Sequence, residues 1–179
     1  PLEEMIVTRE IYGLITLDNR DATVGLLKGK SIVVLKEFTS SVPGKIKVGG
    51  WSQARYSRLR EEAANEFYKR IAEVANKEFL ELGKDLKGIL IGGPGPTKEK
   101  FISKDHLNNE LKKKIIAVRD ITYTDSSGLQ ELLDRSHNEM HDAELVKEKK
   151  IVEEFLGLIA KNSDKAVYGA NDVKKALEY

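Results

Sequence analysis

The feature that most limits the fold is a helical pattern of apolar residues that follows three strand-like segments. Apolar side chains recur at steps of three and four residues from Ala64 to Leu82, which predicts a long helix with one buried face ending near Gly83. Residues 11–18, 22–29 and 31–38 are rich in β-branched residues and are separated by turn residues. These segments predict an antiparallel meander that needs a helix to cover it.

The second half of the chain alternates strands and helices. Residues 93–96, with two prolines, cannot continue a strand and should redirect the chain. We therefore expect an α/β fold with a mixed sheet flanked by helices, over residues 1–139. Residues 140–179 read as a linking helix and the truncated start of a second α/β domain. The predicted strands are residues 87–93 and 115–123, and the predicted helices lie near residues 107–114, from Ser126 onward and at 141–161.

Composition excludes several classes of site. The chain has no cysteine, so it has no disulfide, no thiolate metal site and no cysteine nucleophile. Its three histidines leave little for a zinc site, and we expect His137 and His141, four residues apart, to share a solvated helix face. We predict no metal and no cofactor. No apolar run reaches the roughly 18 residues that span a bilayer, so we expect no membrane partner.

A local excess of positive charge marks the segment ahead of the long helix. The net charge of the whole chain is only +1, yet the window from residue 45 to residue 60 holds five basic residues and no acidic one. It also contains a glycine pair and the single tryptophan, inside a loop that is long for a compact domain. A basic segment of this kind can bind the phosphates of a nucleic acid, and the indole could stack on a base. The alternative is an ordinary solvated loop. The candidate residues are Lys45, Lys47, Gly49, Gly50, Trp51, Arg55 and Arg58.

Several stretches, in the same order, resemble the archaeal branch of the class I peptide chain release factors. GILIGGPGPTKEKF at residues 88–101 is the most specific of them. The resemblance covers essentially the whole chain and implies a middle domain with a ribonuclease H-like fold, followed by the start of the third domain. The other matching stretches are residues 12–30, 40–45, 58–76, 110–124 and 148–178.

The resemblance also implies a function. In that family a Gly-Gly-Gln loop of the middle domain enters the peptidyl-transferase centre and promotes hydrolysis of the ester between nascent peptide and tRNA. Here Gly49 and Gly50 match the two glycines, but Trp51 occupies the place of the glutamine. The backbone N–H of Trp51 remains as a donor for a developing oxyanion, although its indole cannot orient water as a small amide does.

A glutamine is nevertheless present two residues later. Gly50-Trp51-Ser52-Gln53 resembles the GxxQ pattern of a superfamily branch that releases peptides from tRNA on stalled large subunits with a displaced glutamine. Gln53 is therefore a candidate for positioning water, and the alternative is an ordinary residue in the first turn of the helix. The implied partners are the ribosome with its large-subunit rRNA, peptidyl-tRNA and, through the largely missing third domain, a translation GTPase. The implied location is the cytoplasm.

Two other functions are open. Relatives in ribosome rescue lack the Gly-Gly-Gln motif, so Trp51 is also compatible with a ribosome-binding module without release activity. A ribonuclease H-like fold suggests a two-metal nuclease, for which Asp18, Asp21 and Asp120 are the candidate carboxylates. The GGPGP stretch lacks the Lys-Ser/Thr that follows a phosphate-binding loop, so we expect it to be structural.

Overall fold

The computed structural model describes residues 10–41, 51–160, 169 and 173–175. Its chain divides into two compact units, residues 1–138 and 139–179. The boundary that we predict after residue 139 stays a prediction. Within the described residues, no helix is both long enough and apolar enough to cross a bilayer.

The predicted meander is present, with strand ends within one residue of the expected ones. β1 (Ile11–Leu17), β2 (Asp21–Lys28) and β3 (Ser31–Thr39) pair in antiparallel order. Asp18 closes the first turn, because its carboxylate accepts hydrogen bonds from the backbone N–H groups of Arg20 and Asp21, both at 2.7 Å. Local turn chemistry therefore sets the register of these strands.

Two parallel strands complete a five-stranded sheet. β4 (Leu86–Gly92) pairs with β1, and β5 (Ile115–Arg119) pairs with β4. The strand order is β3-β2-β1-β4-β5, so β1 lies at the centre, and all seven of its residues are buried. The expectation of a mixed sheet is confirmed.

Helices cover both faces of this sheet. The longest, α1 (Trp51–Glu81), contributes Phe67, Ile71 and Phe79 to the main core. Gly13 of β1 leaves room for the Phe79 ring, because a Cβ atom there would lie 2.7 Å from it. On the opposite face α4 (Ser126–Arg135) buries Leu129 and Leu132. Two short helices, α2 (Thr97–Ser103) and α3 (Asn109–Lys112), and the long α5 (His137–Ala160) complete the described elements.

Several predicted element ends differ from the structure. α3 is two residues shorter at each end than predicted, and β5 ends at Arg119, four residues before its predicted end. α1 begins at Trp51, and α4 begins at Ser126 as predicted, with Asp125 as its capping residue. α5 begins four residues earlier than predicted, at His137, and His137 and His141 are both exposed on it. α2 was not predicted, because it follows a Pro-rich stretch and its seven residues are too few to show a helical period.

Candidate functional site

The N-terminal end of α1 is where the structure places the described part of the predicted site. Gln53 lies in the first turn and is exposed, and Arg55 and Arg58 are exposed on the next turn. Lys45, Lys47, Gly49 and Gly50 lie outside the described residues, as does the side chain of Trp51, whose backbone opens the helix.

The backbone at this end favours anions. The first four N–H groups of an α-helix have no acceptor within the helix, so those of residues 51–54 point out of its end. The first turn of α1 contains no acidic residue that would compete for them. The N–H of Trp51, predicted as an oxyanion donor, belongs to this set.

The side chains on α1 fall on two faces. A period of 3.6 residues places Gln53, Ser57, Arg60, Ala64 and Tyr68 on one face, since they follow at steps of three and four. Arg55 and Arg58 lie on another face. The structure therefore separates the predicted cations from Gln53 and places Arg60, which was not among the predicted site residues, on the face of Gln53.

A groove runs beside the face that carries Gln53. It has a volume of about 500 Å³ and lies between α1 and α2 with the segment that follows α2. Asn19, from the turn after β1, also lines it. The lining residues from α1 are Ser57, Arg60, Glu61, Ala64, Asn65 and Tyr68, and those from the second wall are Lys100, Ser103 and Lys104.

The wall opposite α1 follows directly after the GGPGP stretch and is hydrogen-bonded to it. The Lys98 ammonium group is buried and donates hydrogen bonds to the Gly95 carbonyl at 2.6 Å and to the Asp120 carboxylate at 2.5 Å. Burial alone would lower the pKa of Lys98, but its bonds to Asp120 and Glu99 outweigh that effect and raise it. Lys98 thus ties α2 to the end of β5.

The carboxylates that a nuclease would need are not grouped. Asp18 is engaged in its turn, Asp120 pairs with Lys98, and the bond to that ammonium group lowers the pKa of Asp120. Among the described residues there is no group of three or more histidine, aspartate or glutamate side chains able to hold a metal ion. The described geometry thus gives no support to two-metal chemistry.

Comparison with known proteins places the chain in a family. Residues 11–142 match the family description "eRF1 domain 2", and residues 145–179 match "eRF1 domain 3". Peptide chain release factor subunit 1 of Pyrococcus abyssi is 52% identical over 180 residues, which cover 99% of this chain and 44% of that protein. This chain therefore spans less than half of that relative.

Solved structures agree with the sequence match. The crystal structure of an archaeal translation termination factor, aRF1, aligns with a TM-score of 0.64 and 32% identity, covering 99% of this chain and 49% of that one. Archaeal Pelota, in a ribosome-bound assembly with ABCE1, aligns with a TM-score of 0.55 and 21% identity over 99% of this chain and 48% of its own, which shows a shared fold. The chain belongs to the eRF1 family of peptide chain release factors and carries its middle domain and the start of the next.

Proposed function

We propose that this chain is the part of a translation termination factor that promotes hydrolysis of the peptidyl-tRNA ester in the peptidyl-transferase centre of the cytoplasmic ribosome. The observation that carries the proposal is the position of Gln53. α1 begins directly after the Gly-Gly pair, so Gln53 lies in its exposed first turn, beside N–H groups that have no helical acceptor. Membership of the release factor family supports the same role.

The proposed chemistry assigns one role to each part of this turn. The Gln53 amide orients a water molecule, whose oxygen forms a bond to the ester carbonyl carbon. The bond to the tRNA ribose oxygen then breaks, and a proton from the water ends on that oxygen. The Trp51 N–H donates to the oxyanion that develops on the carbonyl, with Gly49 and Gly50 allowing the backbone to approach.

The basic residues supply binding rather than chemistry. We propose that Lys45, Lys47, Arg55 and Arg58 contact phosphates of large-subunit rRNA or of the peptidyl-tRNA. Arg55 and Arg58 are exposed and have no hydrogen-bond or ion-pair partner among the described residues, so both are available to phosphates. A translation GTPase is the further proposed partner, through the domain that follows.

Release from stalled ribosomes tests the role of Gln53. With the full-length protein at saturating concentration, we expect Gln53→Ala to slow peptide release about 100-fold or more, because a positioning group for the attacking water is lost. Gln130→Ala is the matched control, since Gln130 is an exposed glutamine on α4, away from the first turn of α1. Equal release rates for Gln53→Ala and the control would remove Gln53 from the mechanism.

Trp51 favours a second candidate function, a ribosome-rescue or ribosome-binding module without release activity. Its indole occupies the place of the expected glutamine, and Pelota, a ribosome-bound protein in its own structure, shares the fold. Under this alternative the unaltered protein binds ribosomes but releases no peptide, and Trp51→Gln gains release. Release by the unaltered protein contradicts the alternative.

A further inference from the structure

The groove between α1 and α2 is rich in cations that have no partner among the described residues. Arg60 and Lys104 are half-buried in it and Lys100 is exposed. The described residues make no ion pair or side-chain hydrogen bond to any of these three groups. The Nε atom of Arg60 is shielded from solvent and has no hydrogen-bond partner. A shielded N–H group without an acceptor costs free energy, so an anion bound to this guanidinium would stabilise it.

A second polar group in the groove lacks a partner. Tyr68 is only 4% exposed, and its ring packs edge-on against Phe101 at the base of the groove. Its hydroxyl group has no hydrogen-bond partner among the described residues, and burial raises the pKa of Tyr68, so the group stays a donor at neutral pH. The Arg60 Nε atom and the Tyr68 hydroxyl therefore give the α1 wall of the groove two donors without acceptors.

The groove extends toward the predicted binding residues. A smaller groove of about 200 Å³ shares Glu61, Asn65 and Lys104 with the first and adds Arg58 and Glu62. Four cations therefore face two carboxylates, which leaves an excess of positive charge. Neutral donors such as Ser57 and Asn65 lie among them. This mixture of arginine, lysine and neutral donors is typical of contacts to phosphate and sugar.

The groove is also aligned with the reacting end of the molecule. Gln53 lies on the same face of α1 as Arg60, and the rise of an α-helix places them about 10 Å apart along its axis. No large aromatic side chain other than the buried Tyr68 lines the groove, so no exposed ring is available to stack on a base. Recognition there would depend on the backbone of a nucleic acid rather than on its bases.

We propose that this groove binds the phosphodiester backbone of an RNA strand and holds it in register with Gln53. The proposal rests on the proposed function for its choice of RNA, and it extends the binding surface from the tip of α1 along its side. Arg60 and Tyr68 are the donors from α1, and Lys100 and Lys104 are the opposing cations. The RNA is either tRNA or large-subunit rRNA, because both offer the same phosphates.

Salt dependence of binding tests the proposal. Each phosphate contact contributes a slope of about 0.7 to 0.9 in the logarithm of affinity against the logarithm of salt concentration. We therefore expect Lys100→Gln/Lys104→Gln to reduce the slope by about 1.4 to 1.8 and the affinity at 50 mM KCl by about tenfold or more. Both lysines lie at the surface of the groove and outside the core, so the variant should fold normally, and circular dichroism checks this.

The matched control is Lys69→Gln/Lys84→Gln, which removes the same charge from exposed positions that line neither groove. The probes are a fluorescent tRNA and large ribosomal subunits of an archaeon, each titrated from 50 to 200 mM KCl. A smaller slope with one probe identifies the source of the bound RNA. Equal slopes for the groove and control variants with both probes would overturn the proposal.

A variant that removes a negative charge from the groove provides a further test. Glu61 lines both grooves, so Glu61→Gln should tighten binding, whereas general loss of fold would weaken it. Weaker or unchanged binding by Glu61→Gln would count against the groove. The groove variants should raise the concentration needed for half-maximal peptide release, whereas Gln53→Ala should lower the rate at saturating concentration. A changed salt slope with no effect of Gln53→Ala would therefore reject the proposed role of Gln53 and keep the groove.

Discussion

The end of β1 and the residue that follows β4 approach each other closely only because that residue is a glycine. A Cβ atom at Gly93 would lie 2.0 Å from the carbonyl oxygen of Leu17, which is backbone and cannot rotate away. Gly93 follows β4 at the edge where β1 and β5 also end, and its N–H donates to the Arg119 carbonyl at 3.1 Å. Close contact between these ends thus requires a residue without a side chain.

We expect Gly93→Ala to destabilise the fold by about 3 kcal/mol or more, because the backbone of β1 or β4 must move to accept the methyl group. Gly157→Ala is the matched control. Gly157 lies within α5 and a Cβ atom there would meet nothing within 4 Å, so alanine should stabilise that helix by about 0.5–1 kcal/mol. Urea denaturation of both variants measures the difference. A similar small effect for both would show that the sheet edge can relax.

The start of α4 is fixed by a capping side chain. Asp125 caps α4 by accepting hydrogen bonds from the N–H groups of Ser127 and Gly128, at 3.0 and 3.2 Å. The Ser127 hydroxyl and these backbone donors lower the pKa of Asp125, so the carboxylate remains charged at neutral pH. α4 is the helix that covers the second face of the sheet, so its start also determines how Leu129 meets Gly25 of β2.

Loss of this cap should destabilise the domain. We expect Asp125→Ala to lower the free energy of unfolding by about 1 kcal/mol, since two donors at the helix start lose their acceptor. Asp125→Asn keeps an acceptor oxygen and should lower it less. Ser126→Ala is the control, because the Ser126 side chain makes no hydrogen bond in the described structure. The urea midpoint should shift without a change in slope, and equal shifts for Asp125→Ala and Ser126→Ala would contradict the assigned cap.

At the scale of the whole molecule, several carboxylates stabilise the fold only when they are ionised. The pKa of Asp105 is lowered by Lys112, that of Asp120 by Lys98, and that of Glu131 chiefly by the backbone N–H of Thr122. With Asp125, four acidic groups have lower pKa values in the folded protein than their ordinary values of 3.8 or 4.5. The folded state therefore binds fewer protons than the unfolded state in acid.

The lowered pKa values determine how the free energy of unfolding changes with pH. This stabilisation is present above the ordinary pKa values and is lost as the pH falls through the lowered ones, so the free energy of unfolding should fall below about pH 4.5. Urea denaturation at intervals between pH 7 and pH 2.5 measures it. Asp125→Asn should show a weaker dependence over that range. A constant or rising free energy of unfolding between pH 4.5 and pH 3 would contradict the assignment.

The sequence by itself determined most of the elements, because their signals are local. Segments rich in β-branched residues and their turns predicted the meander to within one residue at each strand end, and the apolar period predicted the end of α1 to within two residues. The comparisons confirmed the resemblance to release factors. The sequence could show this resemblance because each matching stretch is contiguous. The roles of Gln53 and of the basic residues remain predictions.

Only the tertiary structure decided which surfaces meet. Lys100 and Lys104 belong to α2 and the segment after it, about 40 residues beyond Arg60. The local sequence pattern of neither segment predicts that the two lie side by side. Sheet order places the ends of β1, β4 and β5 at one edge, and the buried Lys98 then ties α2 to the end of β5. Such a juxtaposition depends on contacts distant in sequence, and for that physical reason the groove could not be read from periodicity.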